Sequence, residues 1–519
     1  MINIRTSPKT AATPELLKAA AAREAGVRPE EIESVIIRRR SIDARQRNIM
    51  VNLTLDVKIA GQPSLPAPQP EPLPMPKLPA GAPQAIVVGA GPAGLFAAAA
   101  LIGRGIRPVL LERGKDVDSR RLDVAQIART QEIDPESNYC FGEGGAGAFS
   151  DGKLYTRSKK RGPVDTVLAT FVACGAESDI LVDAHPHIGT DRLPYIIRTL
   201  RERIREAGGE VRFTTRVDKL ILSGEGDART CEGVITSAGE ELRGPVILAT
   251  GHSARDVYEF LHEQGVDLAA KGIAVGCRVE HPQKLIDTIF YHNPKGRGPY
   301  LPPAEYSLLT RVDGRAVYSF CMCPGGVVIP ASSGPGLLVV NGMSPARRGT
   351  RWANTGMVVE VLPEDVDGTS PLRMIDYQEA IERRLSEAVG GTQHAPAQRV
   401  PDFIAGRQSA SLPPSSYPPG VLAMRLDQLL PEPISSRLKA GLQEFGRKYR
   451  DYAGPDGLMI GCETRTSSPV TIVRDPHTLA HISVAGLYPC GEGAGYAGGI
   501  VSAAIDGIRS ANALADSLA

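Results

Sequence analysis

Ala85-Ile-Val-Val-Gly-Ala-Gly-Pro-Ala-Gly94 is the stretch whose reading decides the fold. Ala85 to Val88 is a short apolar run of the kind that forms a buried parallel strand. Gly89, Gly91 and Gly94 then give G-x-G-x-x-G. The first glycine permits the tight turn, the second lets the backbone approach a pyrophosphate, and the third lets the next helix pack on the strand. Pro92 and Ala93 lie within this turn. The Ala- and Leu-rich run Leu95 to Ile102 predicts that helix, with Gly103 or Gly105 to cap it, and its N-terminus offers N–H groups and a positive dipole end to phosphate. A second strand, Pro108 to Leu111, leads to Glu112 and Arg113. Glu112 stands where an acidic side chain bonds ribose hydroxyls.

One such motif does not separate FAD from NAD, and the rest of the chain bears on the choice. Val246-Ile-Leu-Ala-Thr-Gly251 predicts another apolar strand, with Thr250 and Gly251 small enough for the chain to cross beside a dinucleotide. Far downstream, Gly486-Leu-Tyr-Pro-Cys-Gly-Glu-Gly-Ala-Gly-Tyr-Ala-Gly-Gly-Ile500 runs into an Ala-rich helix predicted over Val501 to Leu518. Gly491, Glu492, Gly499 and Ile500 would then hold the flavin half of FAD, the helix N-terminus facing its electron-rich N1/O2 edge. Val217 completes this cofactor-binding set. No second complete strand-G-x-G-x-x-G-helix unit appears, which argues against a dedicated NAD(P) domain and leaves NAD(P)H as a transient donor only.

At 519 residues the chain exceeds one typical core. Its net charge of +1 gives no global pull toward nucleic acid or anionic membrane. No apolar run reaches membrane-spanning length. The N-terminal residues lack the apolar core of a signal peptide, so a cytoplasmic location with eight reduced cysteines is expected. Cys321-Met-Cys323 is too closely spaced for the common zinc patterns, and no metal is expected. It reads either as a redox dithiol or as a buried strand end.

The predicted fold class is α/β. A Rossmann-like FAD-binding domain (84–253 and 476–519) is interrupted by a mixed α+β substrate domain (254–475). A small α+β module (1–60) precedes it, joined by a Pro-rich linker (61–83) holding nine prolines. In the module, Pro14 to Ala25 predicts a helix with Thr13 as N-cap and Gly26 as terminator. Ser34 to Arg40 and Asn48 to Ile59 predict strands. Arg38, Arg39, Arg40, Arg45 and Arg47 form either a solvated face or a docking patch for an acidic partner or RNA.

Longer strings carry a resemblance. They are Phe141-Gly-Glu-Gly-Gly-Ala-Gly-Ala-Phe-Ser-Asp-Gly-Lys-Leu154, His185-Pro-His-Ile-Gly-Thr-Asp191, Thr250-Gly-His-Ser-Ala-Arg255, Tyr318-Ser-Phe-Cys-Met-Cys-Pro-Gly-Gly326 and Glu463-Thr-Arg-Thr-Ser-Ser-Pro469. With them the chain resembles the uncharacterised FAD-dependent dehydrogenases within the glutathione-reductase-like flavoproteins. The resemblance implies extended FAD, with Gly142 to Ser150, including Gly144, Gly145 and Ala146, along the flavin ring. Most relatives in the wider superfamily carry Asp where this chain has Glu492.

A flavin enzyme asks the protein mainly to position a carbon near N5 and to manage a proton. Glu143, His187, His281 and Glu463 are the candidates for the proton. Glu463 and Arg465, two apart, would share one side of a strand, either pairing with each other or gripping a substrate carboxylate. Cys490 reads as a buried filler. The expected function is hydride transfer between a small organic substrate and flavin N5, with oxygen, a quinone or a protein electron partner closing the cycle. A flavoprotein monooxygenase, an RNA-associated flavoprotein and a non-catalytic flavin scaffold are the alternatives.

Overall fold

Five short parallel strands form the sheet around which the cofactor region is built. The computed structural model describes residues 1–62, 70–156, 162–226 and 229–519. The strands lie in the order Leu487–Pro489, Val246–Leu248, Gln84–Val88, Arg107–Leu111 and Glu210–Arg212. All four pairings are parallel. Both glycine segments therefore leave adjacent parts of one sheet at its C-terminal edge, where open α/β sheets hold ligands. Gln84–Val88 is buried along nearly its whole length, as a continuous apolar run requires.

Helix Pro92–Gly103 follows the first strand, with proline in its first turn. It begins earlier than the apolar run predicts because proline's fixed φ already suits a helix start. Helix Ile500–Leu518 packs along it. A Cβ on Gly94 would lie 1.8 Å from the Gly89 carbonyl oxygen, so only glycine admits this turn. Gly89 itself has φ +101°.

The second large sheet has seven strands, ordered Leu309–Val312, Arg315–Cys323, Trp352–Val361, Ile273–Pro282, Leu458–Glu463, Ala395–Arg399 and Val421–Ala423. It is antiparallel except for its last pair. Its own core includes Val275, Val279, Met357, Leu385 and Leu438. Strand Arg315–Cys323 loses register with Trp352–Val361 between Phe320 and Cys323. That irregularity lies at the cavity described below.

At the N-terminus, strands Ile2–Thr6, Met50–Ile59 and Ile32–Asp43 form an antiparallel sheet carrying helix Pro14–Ala25. Gly26 ends the helix in the left-handed conformation. Thr13 precedes it without a side-chain capping bond. Several arginines expected on an open face are engaged: Arg38 pairs with Asp56, Arg45 with Asp43, and Arg40 with Asp179 and Asp183. The last contacts, with an Arg40 N–H bond to the Val182 carbonyl, fasten the module to the body.

Residues 63–69 of the Pro-rich stretch lie outside the described residues. The remainder is a strap rather than a free spacer. Leu73 N–H donates to Thr170 Oγ1, Leu78 N–H donates to the Ala207 carbonyl, and Leu73, Met75 and Leu78 pack on the main core. Among the described residues no helix is long and apolar enough to cross a membrane.

Candidate active site

A cavity of about 390 Å³ runs along the sheet's C-terminal edge. The first glycine turn contributes Gly89, Gly91, Pro92 and Ala93, and the next strand end contributes Glu112 and Arg113. Gly145, Ala146 and Gly147 line it from the glycine loop, and Val217, Thr250 and Gly251 from the middle of the chain. Glu492, Gly499 and Ile500 line it from the C-terminal segment. The antiparallel sheet adds Phe320 and Cys321, the strand Val340–Met343 of a separate two-stranded sheet adds Asn341, and the segment after strand Leu458–Glu463 adds Arg465. Gly94, Gly144 and Gly491 shape the turns without lining the cavity.

Three backbone N–H groups hold the Glu112 carboxylate. Ala90 donates to Oε2 at 2.8 Å, and Gly114 and Gly142 donate to Oε1 at 2.9 and 3.0 Å. A carboxylate has about four acceptor sites, so one stays free for a ribose hydroxyl. Glu112 thus ties the first glycine turn to the glycine loop. Arg113 pairs with Glu136 and Asp256 and lies 4.3 Å over the Phe141 ring.

Two buried ionic arrangements position the walls, and sequence reading found neither. Arg120, wholly buried, donates to the carbonyls of Asn138, Tyr139, Gly142, Glu143 and Gly145 at 2.8–3.2 Å. Arg474 forks onto Asp506 at 2.7 and 3.0 Å, and Asp506 accepts the Gly491 N–H at 2.8 Å. The second pair fixes the C-terminal glycine turn. A carboxylate between Ile505 and Gly507, on the apolar side of the Ala-rich helix, is the one signal that pointed to Asp506.

The residues fit FAD. The first N–H groups of helix Ile500–Leu518 have no partner within the helix and open on the cavity. His252 lines the cavity with Nδ1 buried and unpartnered among the described residues. Burial first, then Arg465, Arg255 and Lys271, pull the His252 pKa down to about 4, so the ring is neutral. Its Nε2 lies 3.9 Å from Glu492 Oε1. Burial pushes the Glu492 pKa up to about 7, against Lys271.

A pH dependence follows. FAD brings pyrophosphate charge into the cavity and favours the protonated Glu492. Above pH 7 that proton must be taken up on binding, so FAD affinity is expected to fall as pH rises, by up to about tenfold per unit. Calorimetric titration of the apoprotein between about pH 6 and pH 9 checks this, and Glu492→Gln should flatten the profile.

The candidates for chemistry separate. Glu143 does not line the cavity: its Oε2 accepts from Val117 N–H and from Arg201, both at 2.8 Å. Burial first, against Arg201, raises its pKa to about 7. Glu463, also off the cavity, pairs with buried Arg278 at 3.1 Å. Arg465 does line it. Its partner is not Glu463, because strand Leu458–Glu463 ends at that residue and the alternation stops there. Arg465 instead forks onto Glu382 at 3.2 and 2.9 Å, and Arg255 reaches the same carboxylate at 2.9 Å. Arg255 also pairs with Glu379 at 3.2 Å, so two guanidiniums meet two carboxylates, and of the two arginines Arg465 is the one that lines the cavity. His187 and His281 bond the Ala346 and Tyr452 carbonyls and lie outside the lining, and Cys490 is buried.

Comparison with known proteins agrees on the cofactor. Residues 272–466 match the model for "FAD-dependent protein, C-terminal domain-like", and residues 1–58 match a domain of unknown function. Solved structures similar to the chain include FqzB, at 16% identity and TM-score 0.37, covering 85% of this chain and 77% of that one. Another is a geranylgeranyl bacteriochlorophyll reductase-like protein of Thermoplasma acidophilum, at 14% identity and TM-score 0.35, covering 84% and 79%. An uncharacterised protein of Clostridium beijerinckii is 43% identical over 430 residues, 82% of this chain and 79% of its own. The chain belongs to one family with that clostridial protein, and it is an FAD-dependent flavoprotein.

Proposed function

We propose that this chain is an FAD-dependent oxidoreductase of the glutathione-reductase-like type, which moves a hydride between a small organic substrate and flavin N5. The observation that carries the reading is the single cavity shared by both glycine segments and the edge of the antiparallel sheet. FAD, when bound, supplies a two-electron acceptor. The chain's own residues do the rest. Gly91 and Ala93, with the residues that follow at the start of helix Pro92–Gly103, would present N–H groups to the pyrophosphate, Pro92 having none to offer. The N-terminus of helix Ile500–Leu518 favours negative charge at the cavity's other end. Arg465, oriented by Glu382, faces the cavity with its positive charge and suits a carboxylate or another anionic group of the substrate.

Anaerobic titration with NADPH and NADH, followed by the visible flavin absorbance, tests the proposal. Bleaching by one nucleotide names the donor. A yellow protein bleached by neither, but bleached by an organic acid, is a dehydrogenase reduced by its own substrate. Hydroxylated product in place of hydrogen peroxide on reoxidation makes it a monooxygenase and overturns simple hydride transfer. Flavin that no donor reduces overturns the enzymatic reading.

A further inference from the structure

Cys321 and Cys323 occupy a setting that hydride transfer does not require. Cys321 lines the cavity with Ala146, Gly147 and Ile500, and Cys323 is fully buried behind it. Cys321 adopts φ +45°, a left-handed conformation rare for a residue with a side chain, at the point where its strand loses register. Such a conformation persists only where the surroundings impose it.

The distorted strand brings the two thiols together. Cys323 Sγ donates to the Cys321 carbonyl oxygen at 3.4 Å, which holds it against the main chain of its neighbour. Two residues apart, the Cα atoms are at most about 7 Å apart, within the reach of a disulfide. Two cations flank them. Lys153 Nζ donates to the Met322 carbonyl between the cysteines. Arg278 Nη2 donates to the Cys321 carbonyl at 3.0 Å and lies 3.5 Å from Cys323 Sγ. Neighbouring Cys323 first, then Lys153 and Arg278, hold the Cys321 thiol below its ordinary pKa against burial. Cys323 is held well above its own. One sulfur is therefore the nucleophile and the other keeps its proton.

We infer that Cys321 and Cys323 are a redox dithiol that exchanges an electron pair with FAD. In the forward direction the S–S bond forms between the Cys321 thiolate and the Cys323 sulfur. The Cys323 S–H bond breaks, and the electron pair and that proton pass to oxidised FAD, which becomes the singly protonated reduced form. In reverse, reduced FAD opens the disulfide. The inference rests on the flavin reading of the cavity. It goes further by giving the site a second two-electron store on the protein.

The test uses the FAD-bound full chain under anaerobic conditions. Dithionite titration should show twice the electron uptake of the flavin alone. Uptake should fall by half in Cys321→Ser and in Cys323→Ser. In parallel, the wild-type protein is poised across a range of dithiothreitol potentials, alkylated, digested and mass-mapped. This second arm needs no variant to fold. The peptide holding both cysteines should pass from doubly alkylated to lighter by two hydrogens, with no cross-link to any other cysteine. Flavin-only uptake with both thiols alkylated at every potential overturns the proposal. A disulfide that forms without changing electron uptake also overturns it, while leaving the flavin site intact. Absence of bound FAD after reconstitution is the separate failure of the flavin reading, and it overturns the electron exchange with it.

Discussion

Replacing Arg120 with methionine is expected to strip FAD from the protein and to lower its unfolding free energy by at least about 3 kcal/mol. Arg120 is fully buried and meets five main-chain carbonyls within residues 138–145. It also lies 4.9 Å over the Phe149 ring. Burial brings its pKa down to about 10, with Glu112 first among the groups that oppose the fall, so it stays charged at neutral pH. The segment it gathers supplies Cys140, Phe141, Gly142 and Gly145 to the cavity wall. Methionine would fill much of the space but satisfy none of the carbonyls. Each carbonyl left buried and unmet costs about 1–3 kcal/mol, and water entering the gap offsets only part of the sum. Lysine keeps the charge with three donors on one nitrogen, too few for five carbonyls set around a planar fork. Arg120→Lys should therefore fall between wild type and methionine. Urea unfolding of the apoprotein and flavin retention through gel filtration measure both effects. Wild-type retention and stability in Arg120→Lys would mean that charge, rather than the fork, holds the loop.

Arg120 also marks where sequence reading stops. The first glycine turn was legible because strand, turn, helix and strand are consecutive, and each announces itself locally. The predicted strands Ala85 to Val88 and Pro108 to Leu111 correspond to Gln84–Val88 and Arg107–Leu111. An arginine on helix Val117–Thr130 carries no such mark. Its role depends on a loop folding back over the helix, and nothing in its neighbours requires that. Arg474 with Asp506 and Arg465 with Glu382 are partners of the same kind, chosen by the tertiary fold across long separations. Alternation placed Glu463 and Arg465 on one face, but it holds only while the strand continues. The N-terminal strand Ile2–Thr6 escaped notice because five residues give too little pattern. The strap did carry a signal, since Leu73, Met75 and Leu78 alternate with prolines and are apolar without need in a solvated linker.

Loss of the Glu463 carboxylate should be costly for stability and nearly silent for chemistry. Arg278 and Glu463 are both fully buried and meet at 3.1 Å. Asn354 Oδ1 accepts from Arg278 Nε at 3.1 Å, so the guanidinium is fixed on several sides. Burial raises the Glu463 pKa to about 7 and Arg278 opposes it. Glu463→Ala leaves a buried guanidinium without its counter-charge, which costs about 3–5 kcal/mol. Glu463→Gln keeps the shape and an acceptor oxygen for Arg278, and should cost less than half of that. The same pair of variants decides whether Glu463 handles a proton. A general acid or base contributes about 10²–10⁴-fold to the rate it serves, and glutamine cannot replace it. A group held off the cavity against Arg278 has no route to the reacting atoms, so Glu463→Gln should reduce FAD within about tenfold of the wild-type rate with whichever donor bleaches the protein. A loss of a hundredfold or more in a variant that still binds FAD and unfolds like wild type would place Glu463 in the chemistry. It would also require the strand end at Glu463 to move so that the carboxylate reaches the cavity.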